Sequence, residues 1–175
     1  VGGVAGYTQA KHLMRTGAAG VLVGFGGGSA MTTRKGLGIS APMATAIADV
    51  AAARSDYLDE SGGRYVHVIA DGGLSRSGDL VKALALGADA VMIGTPFAQT
   101  HEAPGQGFNW GMASPHPALP RGTRINVGAN ATLEQLLFGP SHRTDGTHNL
   151  VGAVKVSMSM VGAQTIAEFH ERAEL

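Results

Sequence analysis

Apolar residues along this chain come in short runs separated by stretches with a helical period. The runs Ala19 to Val23 and Tyr65 to Ala70 are short, apolar and rich in β-branched residues, which predicts parallel strands buried on both faces. Together they place strands near 20–24 and 65–70, and a third falls near 90–94. Between them the pattern predicts helices near 7–16, 42–55 and 77–86, and a last one over 148–161, with Gln164 to Glu174 trailing. Pro42 suits the first turn of its helix, where a missing N–H costs nothing. From Pro96 to Pro120 the chain is dense in Pro and Gly and loses its period. This predicts an irregular excursion, and a stretch of that length is usually functional or disordered.

Residues 1–24 and 71–94 read as two copies of one unit at a constant offset. Gly2-Gly3 answers Gly72-Gly73, Gly17-Ala18 answers Gly87-Ala88, and Val21 and Gly24 answer Val91 and Gly94. Each copy runs glycine turn, helix, Gly-Ala, short strand, glycine, the pattern of a strand end, a helix packing back and the next parallel strand. Strands that alternate with helices and end in Gly predict an α/β fold of the (β/α)8 TIM-barrel kind, with its site on the C-terminal face. A complete barrel takes roughly 250 residues. The expectation is therefore the second half of a barrel, residues 1–175, with a flap-like loop region over 96–148, a C-terminal tail and the first half of the barrel absent.

Composition narrows the class. The 13 basic and 13 acidic residues balance and no basic run occurs, which argues against nucleic acid and anionic membranes as partners. No apolar stretch reaches the roughly 18 residues of a spanning helix, and no charged segment leads into an apolar one as in a secretion signal. With no cysteine, disulfides, thiolate metal sites and thiol nucleophiles are excluded together. The default expectation is a cytoplasmic protein.

Four places can carry chemistry. Gly26, Gly27 and Gly28 allow close approach of backbone to a ligand, and a curled run of N–H groups holds an anion while its carbonyls suit a cation. Ser29, Thr32 and Thr33 add hydroxyls and Arg34 a phosphate-competent fork; a flexible surface loop is the competing interpretation. Asp71, fixed at a strand end beside Gly72-Gly73, suits a ribose diol because an ionised carboxylate only accepts, or else it forms a turn or cap. Gly94-Thr95 ends the next strand, where barrels of this kind often bind phosphate. His101, His116 and His142, with Glu102 beside the first, lack the spacing of a helical metal site. Phe108 and Trp110 either stack on a base or anchor the excursion, with anchoring preferred.

These motifs taken together resemble the IMP dehydrogenase / GMP reductase family over nearly the whole chain. The anchors are Gly26 to Arg34, Asp71-Gly72-Gly73, Ser77-Gly78-Asp79, Lys82 to Ala88, Met92 to Thr95, Glu102 to Gly105 and Gly111-Met112. Asp59 to Asp71 and Gly139 to Val154 look most like a divergent IMP dehydrogenase-like subgroup. The resemblance implies NAD-dependent oxidation of IMP to XMP in guanine nucleotide synthesis, by a homo-oligomer, a tetramer, with a monovalent cation such as K+. It implies that Ser29, Gly73, Gly94 and Thr95 meet the phosphate and Asp71 the ribose. Gly111 and Met112 would lie at the purine edge, the carbonyls of Gly26, Gly28 and Met31 at the cation, and Thr33 beside the attacking water.

Two departures stand out. The family's nucleophilic cysteine position is held by Met31, whose thioether cannot become a thiolate. The family's Arg-Tyr pair in the flap has no counterpart, since Arg121, Arg124 and Arg143 lack a following Tyr. A nucleotide-binding paralogue without turnover is thus the alternative expectation. An FMN-dependent barrel oxidase is a third, although Ser29 to Arg34 does not resemble its loop.

Overall fold

The alternation expected from the sequence is built as a parallel sheet. The computed structural model describes residues 1–30, 33–111 and 124–174. In chain order the barrel part runs β1 (Gly2–Val4), α1 (Tyr7–Arg15), β2 (Gly20–Val23), α2 (Thr33–Leu37), α3 (Met43–Glu60), β3 (His67–Asp71), α4 (Ser77–Ala85) and β4 (Ala90–Met92). The strands pair in the order β1-β2-β3-β4, all parallel, because each return is made by a helix. The repeat is real in space. Shifting α1 by the spacing of the two copies gives the bounds of α4, and the first residue of β2 becomes the first of β4. Gly17 and Gly87 share a left-handed φ of 104° and 105°, the turn that releases each helix into the next strand.

Burial alternates along the strands. Val21, Val23, Val68 and Ala70 are fully buried against a core that includes Ala10, Met14, Ile47 and Val50 of the helices. On the opposite face Leu22 and Ile69 are half-buried and Met92 is 47% exposed. The helices cover one face, and the other is the inner wall of half a (β/α)8 barrel.

Corrections follow the packing. Four parallel strands exist where the apolar runs show three, because β1 is two glycines and a valine and carries no apolar signal. α3 continues past residue 55 to Glu60 since Tyr57 is buried, the Arg15 guanidinium grips both Glu60 oxygens at 2.7 and 2.8 Å, and Tyr7 Oη donates to Asp56 at 2.5 Å. β3 begins at His67 and ends on Asp71, and β4 stops at Met92. Tyr65 lies outside the strand because its hydroxyl donates to Asp89 Oδ1 at 2.5 Å. Arg54 bonds both Tyr65 Oη at 2.9 Å and Asp89 Oδ2 at 2.8 Å. Burial, then the Asp89 hydrogen bond, pushes the Tyr65 phenol up to about 12.

The excursion is partly regular. It opens with α5 (Thr95–Ala98), and β5 (Phe108–Asn109) pairs antiparallel with β6 (Ile125–Asn126). Then come α6 (Leu133–Leu137), α7 (Leu150–Met160) and α8 (Ile166–Arg172). The trailing end is thus a helix. Thr165 Oγ1 caps it by accepting from Glu168 N, Glu168 Oε2 accepts from Gln164 N, and Phe169 docks beside Leu84 and Ala163. Among the described residues no helix is long and apolar enough to cross a membrane.

Candidate functional site

The loops leaving β2, β3 and β4 meet at the C-terminal edge of the sheet. Glycine makes this possible. A Cβ on Gly27 would stand 2.9 Å from the Gly72 carbonyl oxygen, and one on Gly73 would stand 3.0 Å from that of Gly27. Two backbones therefore lie against each other with no room for a side chain between them. Gly73 also holds a φ of 76°. From this paired base the first loop reaches β4. Ser29 Oγ lies 2.6 Å from Thr95 Oγ1, one hydroxyl donating to the other.

Asn109 completes this corner. Its Nδ2 donates to Thr95 Oγ1 at 3.0 Å. Sequence reasoning missed it, because an Asn in an aperiodic stretch gives no signal until the β5–β6 ribbon brings it back over α5. Thr95 is the first residue of α5 behind Gly94. The corner therefore offers exposed hydroxyls and early helix N–H groups, which suit an anion.

Asp71 is the last residue of β3, and a strand period of two puts it with Ile69 on the inner barrel face. Burial pushes its carboxyl pKa above the ordinary value of 3.8. Among the described residues its side chain has no hydrogen-bond partner. A partly desolvated acceptor at the rim suits a pair of hydroxyl donors.

The remaining expected residues fall around this centre. Gly26 has a φ of 75°, and a Cβ there would meet the Ile39 carbonyl oxygen at 2.5 Å. Gly28 adjoins Gly72. Thr33 begins α2, and Gly111 follows the ribbon half-buried. Met31 and Met112, expected at the nucleophile position and the purine edge, lie outside the described residues, as do Thr32, His116 and Arg121. Arg34 is exposed and helps to line a cleft of about 820 Å³ that runs from Gly27, Gly72 and Gly73 between α3 and α4. His101 and His142 are exposed. Phe108 and Trp110 do not anchor the excursion. They are 38% and 51% exposed because they sit on a two-stranded ribbon rather than on the core. Glu102 is used locally, its Oε2 accepting from Leu133 N at 2.9 Å.

Parallel strands whose C-terminal loops bring together glycine backbone, paired hydroxyls and a carboxylate define part of a (β/α)8 barrel. The comparisons name the family. A profile of the IMP dehydrogenase / GMP reductase domain matches residues 1–114. The chain is 56% identical to an uncharacterized oxidoreductase of Mycolicibacterium smegmatis over 97% of this chain and 46% of that protein. It is 36% identical to the inosine-5'-monophosphate dehydrogenase of Aquifex aeolicus over 99% of this chain and 37% of that protein. An IMP dehydrogenase/GMP reductase-like protein of Corynebacterium glutamicum superposes with a TM-score of 0.87 at 49% identity, covering 98% of this chain and 46% of that one. The chain belongs to the IMP dehydrogenase / GMP reductase family. It spans about half the length of the relatives it matches.

Proposed function

We propose that the protein carrying this chain binds a purine nucleoside 5'-monophosphate in the Ser29–Asp71–Thr95 site as an oxidoreductase of the IMP dehydrogenase type. The convergence of Ser29 and Thr95 at 2.6 Å carries the reading. In it the hydroxyls of Ser29 and Thr95 and the N–H groups of Gly73 and Gly94 hold the phosphate. Asp71 accepts from the ribose hydroxyls, Gly111 and Met112 border the purine, and Thr33 orients a water. NAD, when bound, supplies the hydride acceptor, and a homotetramer is the expected assembly. A monovalent cation would sit on the carbonyls of Gly26, Gly28 and Met31, and the positive φ angles at Gly24 and Gly26 support the reading by curling the loop that leads to them.

One residue favours a second reading, binding without turnover. Met31 has no proton to lose, and no cysteine exists in the chain, so a covalent adduct on the purine has no nucleophile here. The test is a thermal shift of the full-length protein with IMP and XMP beside an assay of NAD reduction. Both readings expect a raised melting temperature; NAD reduction near background is the outcome expected from the second. Rapid NADH formation from IMP would restore the dehydrogenase reading, and no shift with any purine monophosphate would remove both.

A further inference from the structure

We propose that the cleft between α3 and α4 binds a medium-chain monocarboxylate, an apolar chain with one anionic head. The two helices splay. Where α4 ends they are closed, since a Cβ on Gly87 would stand 2.7 Å from the Ala51 Cβ. Towards the loops they part, and about 820 Å³ opens between Met43 and Ile47 on α3 and Asp79 and Ala83 on α4. Ala44 and Ala83 line the gap, and side chains this small cannot fill it from either helix. Its volume lies within the range of small-molecule sites, whereas protein interiors otherwise pack as closely as organic crystals.

The chemistry of the cleft is divided between its depth and its rim. Ile47, Leu74 and Ala83 form a deep wall that is buried and apolar, and Met43 adds a thioether that adapts to varied shapes. A ligand body lodged there must be apolar, because sugar hydroxyls would lose water and find no partner on those side chains. The rim is basic. Arg34 is exposed and makes no ion pair among the described residues. Lys82 approaches Asp79 only to 3.9 Å, with 63% of its side chain exposed. Asp79 is already engaged, its Oδ2 accepting from Ser75 N at 3.4 Å and Arg76 N at 3.2 Å. Two cations beside one engaged carboxylate leave a single positive charge to satisfy, which suits one carboxylate head. The cleft meets the nucleotide site only at the backbone of Gly27, Gly72 and Gly73, and its occupant does not depend on the function proposed above.

Calorimetric titration of the full-length protein with octanoate, nonanoate and decanoate tests this. One-to-one binding is expected, tightening about fourfold with each added methylene that is buried. Arg34→Ala and Lys82→Ala should each weaken decanoate roughly tenfold and leave decanol unchanged. Ala44 is exposed, so Ala44→Phe should fold normally, fill the slot and abolish decanoate binding. No saturable binding at millimolar decanoate overturns the proposal, as does a protein that binds decanol as tightly as decanoate. Undiminished binding by Ala44→Phe, or displacement of decanoate by IMP, places the carboxylate elsewhere and overturns it too. Decanoate binding of the expected pattern in a protein that ignores every purine monophosphate keeps this cleft while rejecting the first site.

Discussion

Ser29 and Thr95 are 66 residues apart in sequence, yet their hydroxyl oxygens lie 2.6 Å apart. Neither is held by its own element alone. The glycine contact between the β2 and β3 loops delivers Ser29, and Asn109 fixes Thr95 from the far side. If these hydroxyls receive a phosphate, Ser29→Ala and Thr95→Val should each weaken IMP binding roughly 10–100-fold, since hydrogen bonds to charged groups contribute about 1.5–3 kcal/mol. Calorimetric titration checks this, with the melting temperature expected to move little.

Asp71 should trade stability for binding. Its folded-state pKa is raised by burial, so the ionised form opposes folding. That penalty is absent at low pH and grows as pH rises through the raised value. Asp71→Asn should therefore hold or raise the melting temperature at pH 7 while weakening the nucleotide, a signature of a functional residue. A lower melting temperature with unchanged affinity would assign Asp71 to structure instead.

The glycine base predicts unequal costs for one substitution. Gly73→Ala meets both a φ of 76° and the Gly27 carbonyl, so it should lose roughly 1–3 kcal/mol and the nucleotide with it. Gly78→Ala in α4 meets nothing within 4 Å and should gain roughly 0.5–1 kcal/mol from helix propensity. Urea unfolding of both variants measures the contrast.

At the opposite edge of the sheet, the Asp89 side chain serves Arg54, Tyr65 and the Val68 N–H. Asp89→Ala strands a largely buried guanidinium and should cost about 3–5 kcal/mol without changing nucleotide affinity in the folded fraction. Tyr65 adds an alkaline signature. Its folded pKa of about 12 stands above the ordinary 10, so its contribution is whole below pH 10 and is lost as pH rises towards 12. Tyr65→Phe should flatten that decline in thermal melts taken across the range.

Glu60 supplies the acid counterpart. The Arg15 hydrogen bonds, aided by Lys11, lower its carboxyl from 4.5 to about 2. The tie between α1 and α3 is therefore complete above pH 4.5 and is lost as pH falls through about 2. Glu60→Gln should remove this part of the acid dependence, read as a shallower slope of melting temperature between those values.

The function-bearing ends were more legible than the elements between them. Asp71-Gly72-Gly73 and Gly94-Thr95 stand out because a strand that stops in glycine advertises a tight turn. The helix over 166–172 was missed as a trailing segment, because its single buried Phe169 leaves a weak apolar period. β1 was legible only as a strand end at the start of the repeat. Two glycines and one valine give a strand no apolar signature, and only pairing with β2 makes it one.

By itself the sequence determined the β/α alternation, the repeated unit and the residue types at the strand ends. Those follow from local preferences: apolar period, glycine at left-handed turns, and short polar side chains beside them. Only the tertiary structure decided that Asn109 joins Thr95, that the helices pack on one face of the sheet, and that Trp110 stacks with Arg124. Each depends on contacts between segments far apart in the chain, where loop closure and backbone packing set the distances and local propensity has no say.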